Sequence, residues 1–147
     1  MSLAKHLEHQ RNVLQQFAHM LNQERQLLTE AEVKGQDLTD LAAAKQTTLA
    51  QLERLEQQRS AAQSKLGYSD GLSGAEQAAM DAGCLPIWQH ILDLAEQVKI
   101  LNQFNGDTIM RRMSHNQRLL NFLHEAAGHS LYGPDGQAKR RSSLSGL

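Results

Sequence analysis

The residues of this chain able to make or break bonds are seven histidines, one cysteine and sixteen carboxylates. Their spacing assembles no reactive device. His6 and His9 share a helical face, but no third ligand follows at metal spacing. His115, His124 and His129 are scattered in the same way. Cys84 has no histidine or carboxylate pattern beside it that would favour a thiolate. There is no nucleophile–base–acid order, no glycine-rich phosphate cradle and no paired carboxylates for general acid–base work. The sequence argues against an enzyme, and it calls for no metal and no cofactor.

A different set of residues points to recognition. Glu24 and Lys45 fall on the apolar stripes of their helices, where a charge is costly unless paired. In an antiparallel pair turning near Gly35 they lie 11 and 10 residues from the turn, close enough to meet. Such a pair would fix register more than it stabilises; the alternative is that long stems snorkel and leave their charges in water. Asn102, Asn105 and Asn116 likewise occupy seam positions, and Asn102 and Asn105 are assigned to register inside the bundle. Leu119, Leu120, Phe122 and Leu123 form an apolar cluster wider than one neighbouring helix would cover. With Asn116 they are the candidate docking surface for a partner's amphipathic helix. Beyond Gly128 the only large side chain able to anchor a contact is Tyr132, within Leu131-Tyr132-Gly133-Pro134-Asp135-Gly136.

Long helices must carry these residues. No glycine or proline precedes Gly35, and Leu7, Leu14, Leu21 and Leu28 recur every seven residues. Leu3, Gln10, Phe17 and Glu24 complete a helix-packing stripe, with Val13, Met20 and Leu27 widening it. This predicts helix one over about 2–34, ~45–50 Å long at 1.5 Å per residue. Helix two is expected over 37–66, capped by Asp37, with Leu38, Leu41, Lys45, Thr48, Leu52, Leu55 and Arg59 on its stripe. The glycine-rich stretch 67–85 reads as an exposed connection, with Ser73 capping one helical turn through Glu76 to Met80. Pro86 opens helix three, expected over 86–127 and ~60 Å long. One of its seams takes Trp88, Ala95, Asn102, Ile109, Asn116 and Leu123; the other takes Ile91, Val98, Asn105, Arg112 and Leu119. Both keep phase across Asn105-Gly106, which favours one helix over two split by a turn there. The fold class is therefore all-α: an elongated antiparallel bundle of three long helices, or four if the third breaks at Gly106. Residues 1–127 form the bundle and 128–147 a mobile partner-binding tail.

Composition supports this. At 147 residues and 4% aromatic, the chain suits one domain of long helices better than a β-rich core. A formal charge of −1 argues against a nucleic-acid footprint over the whole chain, and Lys139, Arg140 and Arg141 could neutralise only a few phosphates. No run of about 18 apolar residues is present, nor a signal-peptide core, and one cysteine cannot close an intramolecular disulfide. A reducing, cytoplasmic setting fits best, without membrane insertion.

The assembled motifs resemble the FlgN family of bacterial flagellar export chaperones. The resemblance begins around Leu21 and Glu24. It continues through Lys45-x-x-x-Leu49-x-x-Leu52 and Leu55-Glu56-Gln57-Gln58-Arg59. It is sharpest in Leu101-Asn102-Gln103-Phe104-Asn105-Gly106, Asn116-Gln117 and Leu131-Tyr132-Gly133-Pro134-Asp135-Gly136-Gln137. These motifs run in order along about four-fifths of the chain; the stretch from Gly67 to Gly83 departs from the pattern. The resemblance implies a non-enzymatic chaperone of type III secretion. It would bind the terminal helices of hook-associated junction proteins through a C-terminal surface and deliver them to the flagellar export gate and its ATPase complex. Docking to the gate is carried over to Tyr132, with Gly133, Asp135 and Gly136 forming its turn. The rival reading is a structural coiled-coil adaptor whose end product is a stable oligomer.

Overall fold

The computed structural model describes residues 2–30, 32 and 34–126; within the last helix the side chains of 115, 116, 119, 120, 124 and 126 lie outside the description. The tail expected over 128–147 lies outside the described residues altogether. The described chain is all-α: α1 (Leu3–Thr29), α2 (Gly35–Lys65), α3 (Leu72–Asp81) and α4 (Leu85–Ala126). Its contacts divide it into two units, Met1–Gly106 and Asp107–Leu147.

In the first unit, α1 follows its heptad stripe. Ser2 caps the helix by accepting from the Lys5 amide at 3.2 Å. Leu7, Gln10, Val13, Leu14, Phe17, Leu21, Glu24 and Leu28 are all buried. The helix stops at Thr29, short of the expected 34. Leu28 is the last member of the stripe, and the Thr29 hydroxyl donates to the Gln26 carbonyl at 2.7 Å. Gly35 then begins α2 instead of ending α1, and Lys34 takes the N-cap position. Asp37, expected as the cap, sits in the first turn of α2, where its charge meets the positive end of the helix dipole.

The connection 67–85 needs the larger correction. It holds a ten-residue helix, α3, capped by Gly71 with no side-chain bond from Ser73. Far from being wholly exposed, α3 buries Gly74, Ala75, Ala78 and Ala79. Ala75 and Ala79 join Leu7 and Leu14 of α1 and Cys84, Trp88, Ile91 and Leu94 around α4 in the core cluster. Small side chains allow this short helix to approach closely, and no apolar stripe of large residues announces it. Gly83 closes α3 at φ 69°, with its own amide and that of Cys84 bonded back to Met80 and Ala79.

α4 runs from Leu85 through Asn105 and Gly106 as a single helix of 42 residues. One of its two expected seams is out of phase. Ile91, Val98 and Asn105 face inward as predicted, but Leu94 and Leu101 complete the stripe, while Ala95 and Asn102 are exposed. The cause is Trp88. Its ring is large enough to be buried from the flank of the stripe, so placing it at the centre puts Ala95 and Asn102 one residue away from the inward positions, Leu94 and Leu101. Asn102 is consequently not enclosed by the bundle, contrary to its assignment to internal register.

Candidate protein-docking site

Three groups of residues stand out, two in the first unit and one in the second. In the first unit a polar node crosses the apolar seam. Asn105, 1% exposed, donates through Nδ2 to the Leu21 carbonyl at 2.9 Å and to Glu24 Oε1 at 3.0 Å. Lys45 Nζ donates to the two carboxylate oxygens of Glu24 at 3.1 and 3.0 Å. One buried carboxylate from α1 thus gathers a cation from α2 and an amide from α4, so all three helices meet at a single charge. Shifting any of them by one turn would take at least one donor from the buried Glu24 carboxylate, which is costly. Asn105 Oδ1 stays buried without a hydrogen-bond partner among the described residues.

Nearer the start of α1, a second polar cluster joins α1, α2 and the loop before α3. His6 Nε2 donates to the Leu55 carbonyl at 2.9 Å, so this histidine ties two helices together, while His9 is exposed. Glu56 accepts from Gln10 at 2.8 Å and from Arg59 at 2.9 and 2.6 Å. Partial burial pushes the Glu56 carboxyl up, but the bonds from Arg59 and Gln10, with the charges of Arg59 and His6, outweigh it and hold the pKa below the ordinary value. The Arg59 guanidinium also lies 4.7 Å from the centroid of the Trp88 ring and donates to Gln63 at 2.6 Å. Gln63 in turn donates to the carbonyls of Ser69 and Gly71, holding the chain as it enters α3. Sequence reasoning placed Arg59 on the stripe but missed this function, because its partners are far apart in the chain.

The second unit carries the apolar candidates. Phe122 is 64% exposed and Leu123 52% exposed on the last turns of α4. Met110, which the sequence reading did not single out, is also exposed. Gln117 donates to Asn121 one turn on at 3.2 Å. The side chains of Asn116, Leu119 and Leu120 lie outside the described residues, as do Tyr132, Gly133, Asp135 and Gly136. An exposed phenylalanine beside an exposed leucine gains free energy on burial by a second molecule, about 1.5–3 kcal/mol for each side chain fully covered.

The chemistry available is that of binding. Among the described residues, no group of three or more His, Cys, Asp or Glu side chains is placed to hold a metal ion. Burial pushes the Cys84 thiol up, away from the thiolate. No helix among the described residues is long and apolar enough to cross a membrane.

Comparison with known proteins agrees with this picture. The family model described as "FlgN protein" matches residues 1–140. The flagella synthesis protein FlgN of Yersinia enterocolitica is 32% identical over 142 residues, covering 97% of this chain and 92% of the relative. That of Proteus mirabilis is 31% identical over 138 residues, covering 94% and 90%. The Salmonella typhimurium protein is 30% identical over 135 residues, covering 92% and 89%. No solved structure matches the chain. With a family model spanning nearly all of its length, the chain belongs to the FlgN family of flagellar export chaperones.

Proposed function

We propose that this chaperone works in the cytoplasm, binding the terminal helices of hook-associated junction proteins and delivering them to the flagellar export gate and its ATPase complex. The observation that carries the reading is the exposure of Phe122 and Leu123 side by side on the last turns of α4. An amphipathic substrate helix laid along this surface would bury its own apolar stripe and that of the chaperone together. Asn116, Leu119 and Leu120 belong to the same surface in this proposal. Tyr132, with Gly133, Asp135 and Gly136, forms a separate contact for the gate.

Two contacts on one segment have a functional logic. Cargo held by α4 and machinery held by residues beyond it can be engaged together, and a moderate affinity for cargo permits release. The separation is testable. Tyr132→Ala should keep the affinity for a junction-protein terminal helix, measured by calorimetry, while junction-protein secretion and swimming fall. Normal secretion and swimming in that variant would remove Tyr132 from the gate contact without touching the cargo site.

A further inference from the structure

Beyond Gly106 the charge balance of the chain reverses. Residues 1–106 hold nine Lys and Arg against thirteen Asp and Glu; residues 107–147 hold six against three. Within the second unit, Arg111 and Arg118 of α4 are exposed, and neither makes an ion pair among the described residues. Arg112, by contrast, is half-buried and already engaged within the chain. Asp107 precedes Arg111 by four residues and Glu125 follows Arg118 by seven, both exposed. At 3.6 residues per turn these four fall within about 40° of one another round the helix. One edge of α4 therefore runs acid, cation, cation, acid. Exposed Phe122 borders that edge, about 40° round from Arg118, and Leu123 lies about 100° beyond it.

We infer that Arg111 and Arg118 set the register of cargo on α4, and that the segment accepted there is an amphipathic helix carrying two carboxylates one heptad apart beside its apolar stripe. This rests on the proposed cargo surface at Phe122 and Leu123 and adds the charge pattern that surface selects. A helix laid over Phe122 and Leu123 turns one flank towards the arginines, and charges beside an apolar seam choose partner and orientation in paired helices. The two arginines stand about 10 Å apart along the axis, which is the spacing of two side chains one heptad apart on the partner. The outer acids fix the register. Sliding the partner one heptad towards the end of α4 brings a carboxylate against Glu125, a like-charge pair. Sliding it the other way carries a carboxylate past Arg111 towards Asp107. The same acids disfavour a continuous polyanion, since its charge would run on over Asp107 and Glu125. Two isolated carboxylates fit; a nucleic-acid backbone does not.

The test is calorimetry of the full chain against three synthetic helices that share one leucine stripe. The first has two glutamates one heptad apart on one flank, the second has glutamines there, and the third has its glutamates two heptads apart. The first should bind about fivefold more tightly than the second, as two exposed ion pairs allow. That advantage should shrink at about 0.5 M salt. The third can engage only one arginine at a time and should lose most of the advantage. In Arg111→Gln combined with Arg118→Gln, the first and second helices should bind equally. Both arginines are exposed, so this variant should fold, and the three helices compared on the unmodified chain decide the matter without it. Equal binding of the first two helices to the unmodified chain overturns the charged edge and leaves the apolar cargo surface standing. An advantage that persists in the double variant overturns the assignment to Arg111 and Arg118. No binding of any helix overturns the cargo surface and the edge together. A single-stranded oligonucleotide that binds more tightly than the first helix, and loses affinity in the double variant, overturns the helical partner in favour of a nucleic acid.

Discussion

Glu24 is the residue at which burial, charge and chain register meet. It is 4% exposed, yet it carries a carboxylate that accepts from Lys45 and Asn105. Removing Lys45 strands that charge, so Lys45→Ala should destabilise the chain by more than Glu24→Ala combined with Lys45→Ala. A double-mutant cycle read by urea unfolding should give a coupling of about 2 kcal/mol; zero coupling would rule out the register role. Glu56 makes a pH prediction. Its folded pKa is depressed, so the stability it contributes is present above the ordinary carboxylate pKa and lost as pH falls through the lowered value. Glu56→Gln should therefore show a shallower loss of unfolding midpoint between neutral and acid pH than the unmodified chain. An equal loss would mean that Arg59 and Gln10 stabilise the neutral side chain as well as the anion. The Glu24–Lys45 meeting was legible in the sequence because it follows from counting residues to a turn. The stacking of Arg59 on Trp88 was not, since nothing local in either helix specifies the other.

At the scale of elements, α3 shows how a core can be completed by small residues. A Cβ at Gly74 would collide with the Ser69 carbonyl, a backbone atom, and would also crowd Gln63 Nε2. Gly74→Ala should therefore cost about 1–3 kcal/mol through displacement of the loop before α3. An unchanged melting temperature would show that this loop yields freely. The same element marks a limit of sequence reading. Ala75, Ala78 and Ala79 are too small to produce a convincing apolar period, and the glycines around them read as a loop. α1, by contrast, was legible down to its individual buried residues, because leucine every seven residues leaves one face and one phase. α4 lies between these cases. Its heptad of Ile91, Val98 and Asn105 was legible, but Trp88, drawn in from the flank, misplaced Ala95 and Asn102. Phe122 and Leu123 were singled out because they widen the apolar face, which local spacing does reveal, and both are exposed.

At the scale of the whole molecule, assembly belongs to the first unit and the proposed cargo binding to α4 beyond it. Truncation after Arg112 should leave the far-ultraviolet helical signal and cooperative unfolding of the first unit in place while abolishing binding of junction-protein terminal helices. Loss of cooperative unfolding in that truncation would show that the two halves stabilise each other. Light scattering separates the chaperone from the structural adaptor: a chain that becomes a defined complex only on adding cargo fits the first, and an obligate oligomer with its C-terminal apolar face covered fits the second. The most direct measurement is calorimetry of the full chain and of Phe122→Ser combined with Leu123→Ser, each against a junction-protein terminal helix. Both side chains are exposed, so the variant should keep its fold. Binding at least about tenfold weaker is expected, some 1.4 kcal/mol or more. Unchanged affinity in the folded variant would contradict it.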